Sequence, residues 1–207
     1  MVLMSDIAII LSSLLFWRCV DMVKLFKNEK IFNSALIHAS VSATYSIYAC
    51  ILYPEITFGD TPEFWNRLPL ISYGYGMYDL AWAIQNRKMD EISHGLIFVS
   101  SCSIAYYGNI LHVMYCGLII ETSTIFLNLR PLQYVWNDVL FVITFFIFRL
   151  GVSPYLFITY ALTQPVSIEM KYIILCGAIC ISLLNLYWFY LISRMIYKKH
   201  LHNYLTN

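Results

Sequence analysis

Charge is what this sequence has least of. Only 12% of its 207 residues are Asp, Glu, Lys or Arg, where a soluble domain carries about 25%. That scarcity excludes an ordinary water-soluble fold. There is no basic stripe for nucleic acid, no phosphate-cradling glycine loop, no G-x-S-x-G and no H-E-x-x-H. Eight glycines and six prolines are scattered along the chain, so no low-complexity linker and no internal repeat divides it. The opening MVLMSDIAII lacks a basic leader, and no small-x-small cleavage site follows. It is expected to be a retained first span and not a signal peptide. No N-x-[ST] acceptor occurs, and the KK pair lies too far from the end to be a retrieval signal.

Cysteine is present but unsuited to a disulfide framework. Cys19, Cys50, Cys102, Cys116, Cys176 and Cys180 all fall in apolar stretches, the usual place for small buried hydrophobes. Cys176 and Cys180 share a helix face without a His or Asp ligand nearby, so no metal site is expected.

What the sequence has is apolar length. Hydrophobic residues make up 60%, aromatics 17%, and the mean hydropathy is +0.67. A spanning helix needs about 20 such residues. Seven segments meet the pattern, near 4–23, 33–53, 69–86, 92–107, 110–128, 135–161 and 171–197. The expected fold is all-α, a polytopic transmembrane helix bundle, because only helices or closed barrels satisfy their backbone in lipid.

Basic residues alternate between loops. Lys24, Lys27, Lys30, Arg87, Lys88, Arg130, Arg194, Lys198 and Lys199 fall on one set, and only Arg67 and Lys171 on the other. Glu55, Asp60 and Glu63 sit on the basic-poor side. Nine against two predicts a cytosolic C-terminus and an N-terminus outside or in the lumen.

The polar residues inside the spans carry the functional signal. Ile110 to Arg130 is long enough to cross a bilayer, yet it holds Glu121, Ser123, Thr124 and Asn128 and closes with Arg130. A carboxylate at lipid-tail depth costs several kcal/mol unless it faces a protein interior. Glu121, Thr124 and Asn128 recur at i, i+3 and i+7, one helix face, which points to a polar chamber. His38 shares a face with Ser34, Ser42 and Ser46, and reads either as a helix-to-helix hydrogen bond or as part of a cavity. Asp79 follows Gly74 and Gly76, which allow close helix contact; it is a site carboxylate or a structural partner of Arg149 or Arg18. His94 lies just inside the fourth segment, placed either to act as a general base or to end in the headgroups. Tyr134, Trp136, Tyr187, Trp188 and Tyr190 read as interface belts or aromatic packing.

An ordered series of pieces resembles the TLC-domain family of ceramide synthases, translocation-associated membrane proteins, the ceroid-lipofuscinosis membrane protein and smaller TLC-only proteins. The pieces are NSALIHASVSA, SYGYGMYDL, SHGLIFVSS, YYGN, IIETSTIFLNLR, FFIFRLGVSPY and LNLYWFYLISRMIYKK. The series is most like the TLC-only branch. The resemblance implies a first span and basic loop over 1–32, a TLC domain over 33–199 and a tail over 200–207. It also implies six spans ringed around a membrane cavity, in an endoplasmic-reticulum or related membrane.

In the ceramide synthases that cavity takes an acyl chain from acyl-CoA, and two adjacent histidines serve the transfer. Here the matching position reads Ser93-His94, and the synthases' acidic D-x-x-D signature is absent. Two functions follow from the resemblance. One is transfer of an acyl chain from acyl-CoA, as co-substrate, to a lipid amine or hydroxyl. Its catalytic candidates are His94, Glu121 and Asp79, and its substrate-binding candidates are His38, Ser123, Thr124, Asn128, Arg130 and Arg149. The other is a non-catalytic lipid-sensing, membrane-homeostasis or cargo-interaction role. Membrane lipids are the expected partners, with no nucleic acid and no permanently bound cofactor. A third reading, an ion path through Asp79, Glu121 and Arg149, follows from intramembrane charge alone.

Overall fold

The computed structural model describes residues 4–23, 33–59 and 63–198. Lys24, Lys27, Lys30, Asp60 and Lys199 lie outside them, as does the tail from 200. The described residues form helices joined by short turns, without a strand. In order they are α1 (Met4–Met22), α2 (Asn33–Ile47, prolonged by a π turn Tyr48–Leu52) and the short α3 (Glu55–Phe58). Then come α4 (Glu63–Gln85), α5 (Met89–Tyr107), α6 (Met114–Leu118) and α7 (Glu121–Leu129). The last are α8 (Val135–Thr144), a π segment Phe145–Val152, α9 (Ser153–Thr163) and α10 (Ile168–Ile196).

By length and composition, Asn33–Leu52, Val135–Thr163 and Ile168–Ile196 are able to cross a bilayer. Leu111–Leu118 with Glu121–Leu132 makes a fourth if the pair, bent by 44°, counts as one span. The helices α1, α4 and α5 do not reach that combination; α1 carries Asp6, Arg18 and Asp21 along its length. Large apolar side chains such as Leu15, Ile143, Phe146 and Leu186 point outward, the surface a lipid solvent accepts.

Three departures from the expected segment ends have local causes. First, α4 begins at Glu63, six residues before the expected 69, and runs through Pro69. Proline has no N–H for the carbonyl four residues back. That carbonyl, on Trp65, accepts instead from the Tyr115 hydroxyl at 2.5 Å. Second, the fifth segment is broken between α6 and α7. There the amides of Ile120, Thr122 and Ser123 bond three residues back, and the Thr122 and Ser123 hydroxyls donate to the carbonyls of Ile119 and Ile120 at 2.9 Å each. Hydroxyls that satisfy these carbonyls let a membrane helix bend without stranding its backbone. Third, the sixth segment widens over Phe145–Val152, where the Ser153 N–H reaches the Phe148 carbonyl, five residues back. The next amide in that register would belong to Pro154, which has none, so the Arg149 carbonyl is released.

Small residues set the helix crossings. A Cβ on Gly74 would lie 2.6 Å from the Ile10 carbonyl oxygen, and one on Gly76 would lie 2.3 Å from the Phe98 ring. Those two glycines seat α4 between α1 and α5, as their spacing predicts. Asp21 of α1 accepts from the Ser34 amide (2.9 Å), the Ser34 hydroxyl (2.7 Å) and the Tyr78 hydroxyl (2.5 Å). One carboxylate therefore ties α1, the first turn of α2 and α4 together.

Candidate functional site

The helices α5, α6, α7, α9 and α10 and the π segment enclose a cavity of about 170 Å³. Most of its wall is aliphatic, with Ile110, Val113, Phe157 and Ile174 at one end. The other end carries polar groups, His94, Glu121, Arg149 and Asn185, and the Trp188 indole. The result is an apolar pouch with one polar pole.

Each polar residue reaches the pole for a reason already visible in the backbone. The break before α7 puts Glu121 in its first turn. The π segment turns Arg149 inward, leaving it 6% exposed. Its Nε donates to Ser123 Oγ at 2.8 Å and its Nη2 to Thr124 Oγ1 at 2.9 Å. The guanidinium lies 5.0 Å from the Phe145 ring centroid. The Asn185 amide donates to the released Arg149 carbonyl at 3.5 Å, filling the place that Pro154 leaves empty.

His94 differs from these. Its imidazole stands on the cavity wall, 5.9 Å from the Trp188 ring, and no hydrogen bond holds it among the described residues. The adjacent Ser93 is exposed and its hydroxyl turns back to the Met89 carbonyl at 3.1 Å. Neither chemistry nor direction makes Ser93 a second histidine.

Among the sequence candidates, His94, Glu121, Arg149, Ser123 and Thr124 come together. Others do not. His38 is buried between α1 and α4, stacked on Tyr75 (3.8 Å between centroids) and edge-on to Trp17. Its Nε2 meets the Ser42 hydroxyl at 3.0 Å, and Ser42, Tyr45 and Ser72 bond one another. The hydrogen bond of His38 stays within α2, and its contacts to α1 and α4 are through its ring; it does not line the cavity. Asp79 sits on α4, half-buried and off the cavity wall, and its charged neighbours are the carboxylates of Glu91, Glu121 and Asp21. It is not the partner of Arg149. Arg130 pairs with the buried Asp138 at 3.1 Å and donates to Met195 Sδ, and Asn128 donates back to the Thr124 carbonyl at 3.0 Å. The chamber is therefore smaller than the polar face of α7 suggests, because the lower part of that face holds its own helix end in place.

Two wall residues carry no role in the sequence reading. The available signal for Asn185 is a lone amide in the apolar run ICISLLNLYWF. Trp188 departs from its expected place, lining the cavity while its neighbours Tyr187 and Tyr190 are 58% and 60% exposed. Among the described residues no three His, Cys, Asp or Glu side chains gather to hold a metal ion.

A TLC-domain family model matches residues 31–194. The chain belongs to the TLC-domain family, and with its apolar helices it is a membrane protein of a lipid-related family. No solved structure matches it.

Proposed function

We propose that this protein transfers an acyl chain from acyl-CoA to a lipid amine or hydroxyl, with the chain lying in the cavity and His94 at its mouth. The observation that carries the reading is the polarity of the pouch: an aliphatic interior ending at an unbonded imidazole, with the buried Arg149 and the half-buried Glu121 on the same wall. As the acceptor nitrogen or oxygen attacks the thioester carbonyl, His94 takes its proton. The carbon–sulfur bond then breaks, and the proton leaves with the thiol of CoA. Arg149, already held by Ser123 and Thr124, supplies a fixed positive field for the oxygen that becomes negative in that step.

This reading carries a topology with it. All seven helical stretches cross the membrane, in the endoplasmic reticulum or a related compartment, and the last four of them wall the cavity where the resemblance implies six. The C-terminus is cytosolic, which is supported by the nine-to-two division of basic residues. His94 and Trp188 then lie towards the cytosolic ends of their helices, where Arg87, Lys88, Arg194 and Lys198 would face the phosphates of CoA.

A second reading rests on Ser93. With one imidazole in place of two, and none of its hydrogen bonds made, the cavity also suits a non-catalytic lipid sensor. Purified protein incubated with radiolabelled acyl-CoA and a panel of amine and hydroxyl lipids separates the two. Labelled product supports transfer. A labelled chain retained by the protein without product with any acceptor supports the sensor.

A further inference from the structure

The cavity wall is not equally closed all round. On the α6, α7 and α9 side, lining residues such as Val113, Met114 and Leu118 are 4%, 6% and 1% exposed. On the facing edges of α5 and α10, residues that also line the cavity are open to the outside: Ile97 and Ile104 at 45%, Ile173 at 46%, with Gly177 exposed and Ser101 half-buried.

These two antiparallel helices meet at both ends of that edge and not between. At one end the His94 and Trp188 rings lie 5.9 Å apart. At the other, a Cβ on Gly108 would come within 2.7 Å of Met170 Cε. Midway, a Cβ on Gly177 would meet nothing within 4 Å. The slot so bounded runs along the fourteen residues from His94 to Gly108, about 21 Å at the helical rise.

We propose that this slot is a lateral portal, through which one acyl chain of a resident bilayer lipid slides into the cavity. The inference rests on the reading that the cavity holds an acyl chain, and adds the route by which the membrane lipid of that reading, acceptor or product, enters and leaves beside it. The slot opens at mid-helix through apolar side chains that face lipid, a depth that a resident lipid reaches without leaving the bilayer. At the pole, the charge of Arg149 is offset by Glu121, which suits the neutral ester or amide carbonyl of a membrane lipid better than an isolated anion. Ser101 and Gly177, the two smallest groups on the edges, leave the gap a single chain needs.

The test uses full-length protein in phosphatidylcholine nanodiscs containing phosphatidylcholine with a diazirine at one acyl terminus. After irradiation, labelled residues are mapped by mass spectrometry. Wild type should be labelled at Met114 and Leu118, deep in the cavity. Gly177→Phe, which has room for its ring in the slot, should lower that labelling at least fivefold while labelling of outward-facing Leu183 stays constant. Ser101→Phe blocks the same slot from the opposite helix and gives the same result should the first variant fold poorly.

Undiminished labelling of Met114 and Leu118 in both variants overturns the portal. So does labelling by a diazirine acyl-CoA added to the water phase with none from the phospholipid, which leaves the acyl-transfer reading standing. No labelling of either residue by either probe overturns the portal and that reading together.

Discussion

His38 and His94 each lie five residues from the start of a helix, and the sequence around each is polar enough to suggest a site. Their surroundings are opposite. His38 is clamped between Tyr75 and Trp17, with Ser42 on its Nε2 and no space beside it. His94 has space beside it and no hydrogen bond. A buried polar group that is fully partnered is part of the scaffold, since its hydrogen bonds are what make its burial tolerable. One left without a partner beside a cavity is free to take a partner from the ligand. The same contrast separates Arg149, held by two hydroxyls at the cavity wall, from Arg130, paired with Asp138 away from it.

The largest effect should come from removing the buried cation that the polar pole is built on. Arg149→Met takes away the guanidinium, so the Ser123 and Thr124 hydroxyls lose a charged donor. A hydrogen bond to a charged group contributes about 1.5–3 kcal/mol, so losing two should cost about 3–6 kcal/mol. Expression in detergent-stable form should fall sharply, read as the melting transition of the purified protein. Arg149→Lys should recover little, because a single ammonium cannot reproduce the Nε and Nη2 fork onto two hydroxyls. A melting transition unchanged by Arg149→Met would show that the pole is not a structural unit.

His38→Ala should come next, at about 2–4 kcal/mol, through the cavity it leaves between Tyr75 and Trp17. His38→Phe keeps the ring that stacks on Tyr75 and should regain part of that loss. Neither should alter acyl-chain labelling of Met114 per folded molecule. A His38→Ala protein that melts like wild type but loses labelling would reverse the assignment of the two histidines.

Tyr115→Phe is smaller and more specific. It removes one hydroxyl and leaves the Trp65 carbonyl opposite Pro69 without a donor, at a cost of about 1–3 kcal/mol. Tyr115→Phe combined with Pro69→Ala restores an amide donor to that carbonyl. The double variant should therefore be more stable than Tyr115→Phe alone, in a double-mutant comparison of melting transitions. Equal stability would detach the proline from the tyrosine.

Much of this arrangement is legible in the residues themselves. Apolar length places the helices, and the i, i+3 spacing on α7 brings Glu121 and Thr124 to one face, where Arg149 meets them. What the sequence conceals is which polar residue spends its hydrogen bonds on the backbone. Asn128 looks like a cavity lining residue by spacing, but its amide is taken by the Thr124 carbonyl. Asp79 looks like a partner for Arg149 because both are charged residues within spans, but the guanidinium is taken by the Ser123 and Thr124 hydroxyls of α7. Asn185 and Trp188 come from the last helix, 91 and 94 residues from His94 in sequence, and only the packing of α10 across the cavity joins them to it.

His94→Ala is the substitution expected to cost least in stability and most in function. The imidazole makes no hydrogen bond that the fold would lose, and it borders space that already exists, so the added void should cost under about 1 kcal/mol. The melting transition should stay within the range of an ordinary surface change. Acyl transfer should nevertheless be abolished, because among the described residues no other imidazole lines the cavity to take the acceptor's proton. His94→Gln keeps similar bulk and a polar end but is not a base, so it should be equally inactive with an unchanged melt. Transfer that persists in both variants would remove His94 from the chemistry and leave the cavity as a binding site alone. A large loss of stability in both would mean that His94 belongs with His38 after all, as part of the scaffold, and the contrast between the two would collapse.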